Sequence, residues 1–217
     1  MAIKEQEEKI RKNLSRIRHK LVILSGKGGV GKSFITANLA VALSLEGFKV
    51  GVFDADLHGP SIPKIMGLQG QTLFSGPGGI IPAEGTGGVK VVSTGLMMPE
   101  DEALIWRGPL KTSLIRELLS TISWGSLDFL IVDLPPGTGD EPLTVAQLLK
   151  SLDGAILVTT PSDLTRMVVR RAAVFCRRLN MPLLGVVNNM SYFTCPNCGA
   201  THYIFGRGVE DLINEMG

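Results

Sequence analysis

The 217-residue chain carries 22 Lys and Arg against 20 Asp and Glu, and its formal charge of +2 gives no electrostatic ground for binding nucleic acid or membrane. With 44% hydrophobic and 19% charged residues it is not a disordered chain, and three cysteines are too few for a disulfide framework at this length. No apolar run approaches the roughly 20 residues of a membrane span and the opening residues are charged, unlike a secretory signal, so a soluble cytoplasmic protein is expected.

Residues 1–20 hold seven basic and three acidic side chains, a charge of +4 on a body that carries −2. Ile10, Leu14 and Ile17 are spaced as one helical stripe, which predicts a solvated N-terminal helix packed on a domain over 21–217. Short apolar runs follow at Leu21–Leu24, Val50–Phe53, Val89–Ser93, Phe129–Val132, Ala155–Val158 and Leu184–Val187. Several are continuous rather than alternating, as in strands covered on both faces. Helical patterns lie between them near 32–46, 108–122, 141–151, 163–179 and 207–216. The interleaving predicts an α/β fold with a mostly parallel central sheet flanked by helices, its ligands beyond the carboxyl ends of the strands. The segment 67–90, with eight glycines and two prolines, breaks the rhythm and reads as a surface excursion or glycine-rich hairpin.

After the first strand comes Gly26-Lys27-Gly28-Gly29-Val30-Gly31-Lys32-Ser33, followed by a helical pattern. Glycines at these positions let successive backbone N–H groups turn towards phosphate oxygens, and the helix start adds its positive dipole end. Lys32 is expected on the β- and γ-phosphates and Ser33 on Mg²⁺. Lys27, a second lysine inside the anion cradle, makes the loop resemble the deviant Walker A of the SIMIBI ATPases, which include MinD, ParA, the nitrogenase iron protein and the Mrp proteins. In that class the first lysine crosses a dimer interface to the partner's nucleotide, so the resemblance implies a nucleotide-sandwich homodimer.

The second strand runs into Asp54-Ala55-Asp56, whose two carboxylates share one face at the strand end. Acids so placed serve a cation or a water: Asp54 is assigned to a Mg²⁺-bound water and Asp56 to the attacking water. Leu130–Asp133 is an apolar strand ending in a Walker B acid for Mg²⁺, and Pro135 to Gly139 form a switch loop behind it. His58 reads as polar surface and is left out of the catalytic set, which is Lys27, Lys32 and Asp56.

Asp54–Ser61 (DADLHGPS), Trp106-Arg107-Gly108-Pro109, Asp133–Asp140 (DLPPGTGD) and Met190–Gly199 (MSYFTCPNCG) together resemble the Mrp/ApbC-type iron–sulfur cluster carrier ATPases from about Ile10 through Gly206. The resemblance implies ATP hydrolysis, slow without a partner, coupled to holding a cluster of [4Fe–4S] type and delivering it to apo client proteins. It also places the adenine-contacting asparagine at Asn189, although Asn188 stands where members commonly have Glu. No Asn-Lys-x-Asp guanine signature is present, which favours ATP over GTP. Trp106 and Arg107 follow the family pattern without a defined role.

Cys195-Pro196-Asn197-Cys198 alone admits a redox pair, a zinc half-site or a cluster half-site. Two thiolates do not complete tetrahedral Zn²⁺ or a four-cysteine cluster, whereas two such pairs in a symmetric dimer do. The resemblance favours the cluster; Zn²⁺ stays open because His202 follows Cys198 by four residues. Cys176, on an apolar helix stripe, reads as a buried hydrophobe. Two rivals remain: a MinD/ParA-like positioning ATPase, which would want an anchor or basic surface, and a zinc-stapled regulatory ATPase. Relatives usually continue past the position of Gly217 with another strand, so the sheet is expected to be short of the family's full complement.

Overall fold

The computed structural model describes residues 2–57, 59–97, 108–161 and 165–206. The elements in chain order are α1 (Ala2–Leu14), β1 (Ile17–Ser25), α2 (Lys32–Leu45), β2 (Val50–Asp54), α3 (Ile62–Ile65), β3 (Phe74–Gly76), β4 (Gly79–Ile81), β5 (Ala83–Gly85), β6 (Val89–Ser93), α4 (Gly108–Thr121), β7 (Leu127–Asp133), α5 (Asp140–Leu149), β8 (Gly154–Thr159), α6 (Thr165–Arg178), β9 (Leu183–Asn188), β10 (Phe193–Thr194) and β11 (Thr201–His202). Among the described residues the main sheet has seven strands in the order β5-β6-β2-β7-β1-β8-β9. All neighbours are parallel except β5, which adds antiparallel to β6. This is the mostly parallel α/β sheet expected from the alternation of runs.

Both faces of the sheet are covered, which explains the unbroken apolar runs. Val22 and Leu24 of β1, Phe53 of β2, and Leu130 and Val132 of β7 face a layer made by α1, α4, α5 and α6. Ile23, Val50, Val52 and Ile131 face the other way, into a smaller core shared with α2 and α3. Ile10 and Leu14 bury the apolar stripe of α1, and Asn13 Nδ2 donates to the carbonyls of Leu119 and Ser120 at 3.3 and 3.0 Å. Ile17, expected on that helical stripe, is buried instead as the first residue of β1, so the strand begins ahead of Leu21. Among the described residues no helix is long and apolar enough to cross a membrane. The helix expected over 207–216, Trp106, Arg107 and His58 lie outside the described residues.

Topology fixes where the ligand crevice lies. From β1 the chain crosses through α2 to β2 on one side, whereas from β7 it crosses through α5 to β8 on the other, and β7 lies between β1 and β2. The carboxyl ends of β1 and β7 therefore form a topological switch point, the usual ligand position in an open α/β sheet. Parallel pairing also sets Asp54 directly beside Asp133, and Asp133 beside Ile23.

The glycine-rich segment is a built feature. β3 and β4 form a hairpin and β5 supplies an edge strand, with Ser123 N–H donating to the Ile80 carbonyl at 2.9 Å. Gly79 sits at φ 116° with its α-carbon so close to α4 that a Cβ would lie 1.8 Å from the Thr121 carbonyl oxygen. Gly79→Ala should therefore destabilise the fold by about 2 kcal/mol or more in urea unfolding. Gly78→Ala, whose Cβ would approach nothing nearer than Ser123 Oγ at 3.6 Å, should be close to neutral; equal losses at both positions would contradict this reading.

Candidate nucleotide site and cysteine hairpin

The loop between β1 and α2 carries the predicted phosphate signature, and its conformation suits that role. Gly31 is the residue before α2 and has φ 88°, a left-handed conformation that disfavours a side chain. Lys27, Gly28, Gly29, Lys32 and Ser33 line a cleft of about 300 Å³ whose other wall includes Asp56 and Pro136. Gly26 lies against Val168 of α6 at the base of the loop. The Val30 side chain is buried in the core, and its carbonyl accepts from Asn189, so its backbone N–H is the group it can offer a phosphate. Lys27 is exposed at the rim, while Lys32 is buried in the floor.

The floor is organised by Asp133, the fully buried last residue of β7. Its Oδ2 lies 2.7 Å from Lys32 Nζ and accepts from Ser33 Oγ at 2.5 Å, while Oδ1 accepts from Thr36 Oγ1 at 2.7 Å. One strand-end carboxylate thus holds three side chains from the first turns of α2. Lys32 is ion-paired here yet makes no well-aligned hydrogen bond among the described residues, and Ser25 Oγ in the same cleft is buried without a hydrogen-bond partner among them. These are donors suited to the oxygens of a phosphate ligand.

Asp54 is buried one strand over. Its Oδ2 accepts from Ser93 Oγ at 3.0 Å and its Oδ1 from the Asp56 N–H at 3.2 Å. Burial, and then the negative charge of Asp133, push its carboxyl up to about 8, against the opposing pull of Ser93 and Lys32. Asp54, Asp133 and Ser33 therefore form an oxygen-rich set short of positive charge, which fits a hard divalent cation such as Mg²⁺. Asp56 sits further out, half-buried on the cleft wall, where its Oδ1 accepts from the Gly59 N–H at 3.3 Å. Thr36 and Ser93 were not singled out in the sequence. Thr36 could have been found from its position one helical turn after Lys32, whereas nothing local marks Ser93.

Asn189 follows β9, and its Nδ2 donates to the Val30 carbonyl at 2.9 Å, which brings it to the phosphate loop. Beyond it, β10 and β11 form a hairpin whose turn contains Cys195 and Cys198. The turn is closed by Cys195 N–H donating to the Ala200 carbonyl and Gly199 N–H donating to the Cys195 carbonyl, both at 2.9 Å. The backbone N–H of Cys198, then that of Asn197, then the Cys198 side chain hold the Cys195 thiol below its usual range, as befits a metal-binding thiolate. The His202 ring lies 6.5 Å from that of Phe193, and among the described residues no three His, Cys, Asp or Glu side chains gather to hold a metal ion. Among the described residues the hairpin therefore offers a metal two thiols. Cys176 is buried in α6, and its thiol is pushed up to about 11 by burial, as for a core hydrophobe.

A family profile of the ParA group, for NUBPL iron-transfer P-loop NTPases, matches residues 16–217. The chain belongs to that family. It is 50% identical over 215 residues to the iron–sulfur cluster carrier protein of Methanocaldococcus jannaschii, covering 98% of this chain and 74% of that protein. It is 44% identical over 214 residues to the cytosolic Fe–S cluster assembly factor CFD1 of Eremothecium gossypii, covering 94% and 76%. Among solved structures it is similar to a nucleotide-binding protein from Archaeoglobus fulgidus in complex with ADP. That match has a TM-score of 0.85 at 42% identity and covers 97% of this chain and 82% of that one.

The raised carboxyl of Asp54 has a consequence for stability. An acid whose folded value exceeds its unfolded 3.8 takes up a proton on folding, so its favourable contribution is present at low pH and is lost as pH rises through about 8. In Mg²⁺-free protein with chelator, the melting midpoint should fall by several degrees between about pH 5.5 and 8.5. Asp54→Asn should flatten that slope; an unchanged slope would remove Asp54 as its source.

Proposed function

We propose that the protein is an ATP-hydrolysing iron–sulfur cluster carrier that works as a homodimer and delivers its cluster to apo client proteins. The observation that carries this reading is the joining, in one chain, of a phosphate loop locked onto a Walker B acid with two thiols on one surface turn, Cys195 half-buried and Cys198 exposed, that make half a cluster site. The charged helix α1 and the sheet that begins with β1 act as one ATPase unit. In it the backbone of Gly26–Ser33, with Lys32, stabilises charge on the transferring phosphoryl group, and Lys27 reaches the nucleotide of the second copy. Asp56 orients the attacking water, and Asn189 meets the adenine edge.

Ser33, Asp54 and Asp133 are the residues that would hold Mg²⁺, which when bound neutralises charge on the phosphate oxygens. Admitting it requires Asp54 to give up the proton that burial favours, and Lys32 to exchange Asp133 for phosphate. Both changes keep the floor near electrical balance.

The cluster is cargo, held by Cys195 and Cys198 of each copy, four thiolates in all and sufficient for a [4Fe–4S] centre. The hairpin offers the second copy an apolar surface: Tyr192, Phe193, Ile204 and Phe205 are 48 to 66% exposed beside the cysteines. Four exposed apolar side chains on so short an element are expected to be covered by a partner. They would also shield a cluster from water.

Two variants separate the parts of this proposal. Lys32→Ala should lower the hydrolysis rate by about 10²-fold or more, as expected for removal of a phosphoryl-stabilising cation; full hydrolysis would refute the ATPase reading. Cys195→Ser should abolish the chromophore formed on anaerobic reconstitution with iron and sulfide, and with it transfer to an apo-acceptor. A wild-type chromophore that never transfers, or a cysteine site that takes up zinc alone, would refute the carrier reading.

A further inference from the structure

The phosphate loop and the cysteine hairpin meet at Asn189. Its backbone N–H donates to the Thr159 carbonyl of β8 at 2.8 Å, which by itself anchors the chain where β9 ends. The side chain makes a separate contact, Nδ2 to the Val30 carbonyl at 2.9 Å. A carbonyl accepts and does not donate, so the amide nitrogen must be the atom facing Val30. The fit is close: a Cβ on Gly31 would lie 2.2 Å from that nitrogen, so the loop closes around the carboxamide. The carboxamide keeps its second N–H and its carbonyl oxygen, so the same side chain can hold Val30 and meet a base edge together.

On the other side of Asn189 the backbone is constrained. Met190 has φ 57°, a left-handed conformation that a non-glycine residue holds only where its surroundings impose it. Four residues further is the start of the cysteine turn at Thr194–Cys195. The hairpin has strands of two residues each, and Tyr192, Phe193, Tyr203, Ile204 and Phe205 are exposed along it. An element with so little burial takes its orientation from its root, and that root is the pair Asn189–Met190.

We propose that Asn189 is a positioning residue that couples the phosphate loop to the cysteine hairpin. A filled loop holds the Val30 carbonyl still, Asn189 stays bonded to it, and the hairpin is held in one orientation. An empty loop lets the Val30 carbonyl, Asn189 and the hairpin fluctuate together. The coupling gives nucleotide occupancy a route to the thiols through one hydrogen bond. Its meaning for cluster handling rests on the function proposed above, but the coupling itself needs no metal.

Hydrogen–deuterium exchange of the metal-free protein tests it, with Mg·ADP or Mg·pyrophosphate at concentrations shown to saturate each variant. Pyrophosphate fills only the phosphate part of the site. In the wild type both ligands should slow exchange over 190–206, and both should do so by a similar factor. Asn189→Ala should speed exchange there in the free protein about five-fold, the Boltzmann factor of one net hydrogen bond, and should remove the response to both ligands. Asn189→Asp, which keeps the shape and loses the donor, should behave likewise and serves if the alanine variant does not fold. A ligand response that survives both substitutions, a wild-type hairpin indifferent to both ligands, or a response to ADP without one to pyrophosphate would overturn the coupling. Because no iron is present, failure here leaves the carrier reading to be decided by reconstitution.

Discussion

A buried carboxylate is tolerable only when opposite charge and hydrogen bonds replace the water it has lost, and Asp133 sets the terms for everything around it. It is fully buried at the end of β7, and Lys32, Ser33 and Thr36 converge on its two oxygens. That requirement draws the first turns of α2 onto the strand between β1 and β2, so the loop before α2 must span the crevice where the topology reverses. The second acid suffers from the same constraint. Asp54 lies in register with Asp133, and with Lys32 already engaged its cheapest state is neutral. In the nucleotide-free protein the floor thus balances one carboxylate against one ammonium.

The cysteine hairpin obeys opposite rules. It contributes no residue to either buried core, and Cys198 and its aromatic side chains are exposed, with Cys195 half-buried beside them. Its order comes from a turn that directs N–H groups at the Cys195 thiol and from the constrained backbone at its root. A buried P-loop core with a lightly held, thiol-bearing appendage is the arrangement expected where a bound cargo must be both held and released. The two halves are separated by only a few residues of chain, which makes Asn189 central to how they communicate.

Much of this was legible in the sequence, for identifiable reasons. Six strands showed as apolar runs because both faces of the sheet are covered, and the phosphate loop showed because its chemistry demands fixed residue types at fixed spacing. Asp54 and Asp133 could be picked out as strand-end acids, but the protonation of Asp54 depends on strand register across β2 and β7, which no local window contains. β5 was hidden because Ala83–Gly85 is too short and glycine-rich to read as a strand, and it is recruited only by pairing with β6. Ile17 fits a helical stripe as well as a strand, and tertiary burial decided for the strand. Thr36 and Ser93 are ordinary residues until the fold brings carboxylates to them.

In the proposed dimer two copies of the chain share one cluster. Sedimentation of the anaerobically reconstituted protein, with iron quantified in each species, tests it directly. Iron should travel with the dimer at about one four-iron cluster per two chains. Iron carried at full occupancy by the monomer would contradict it.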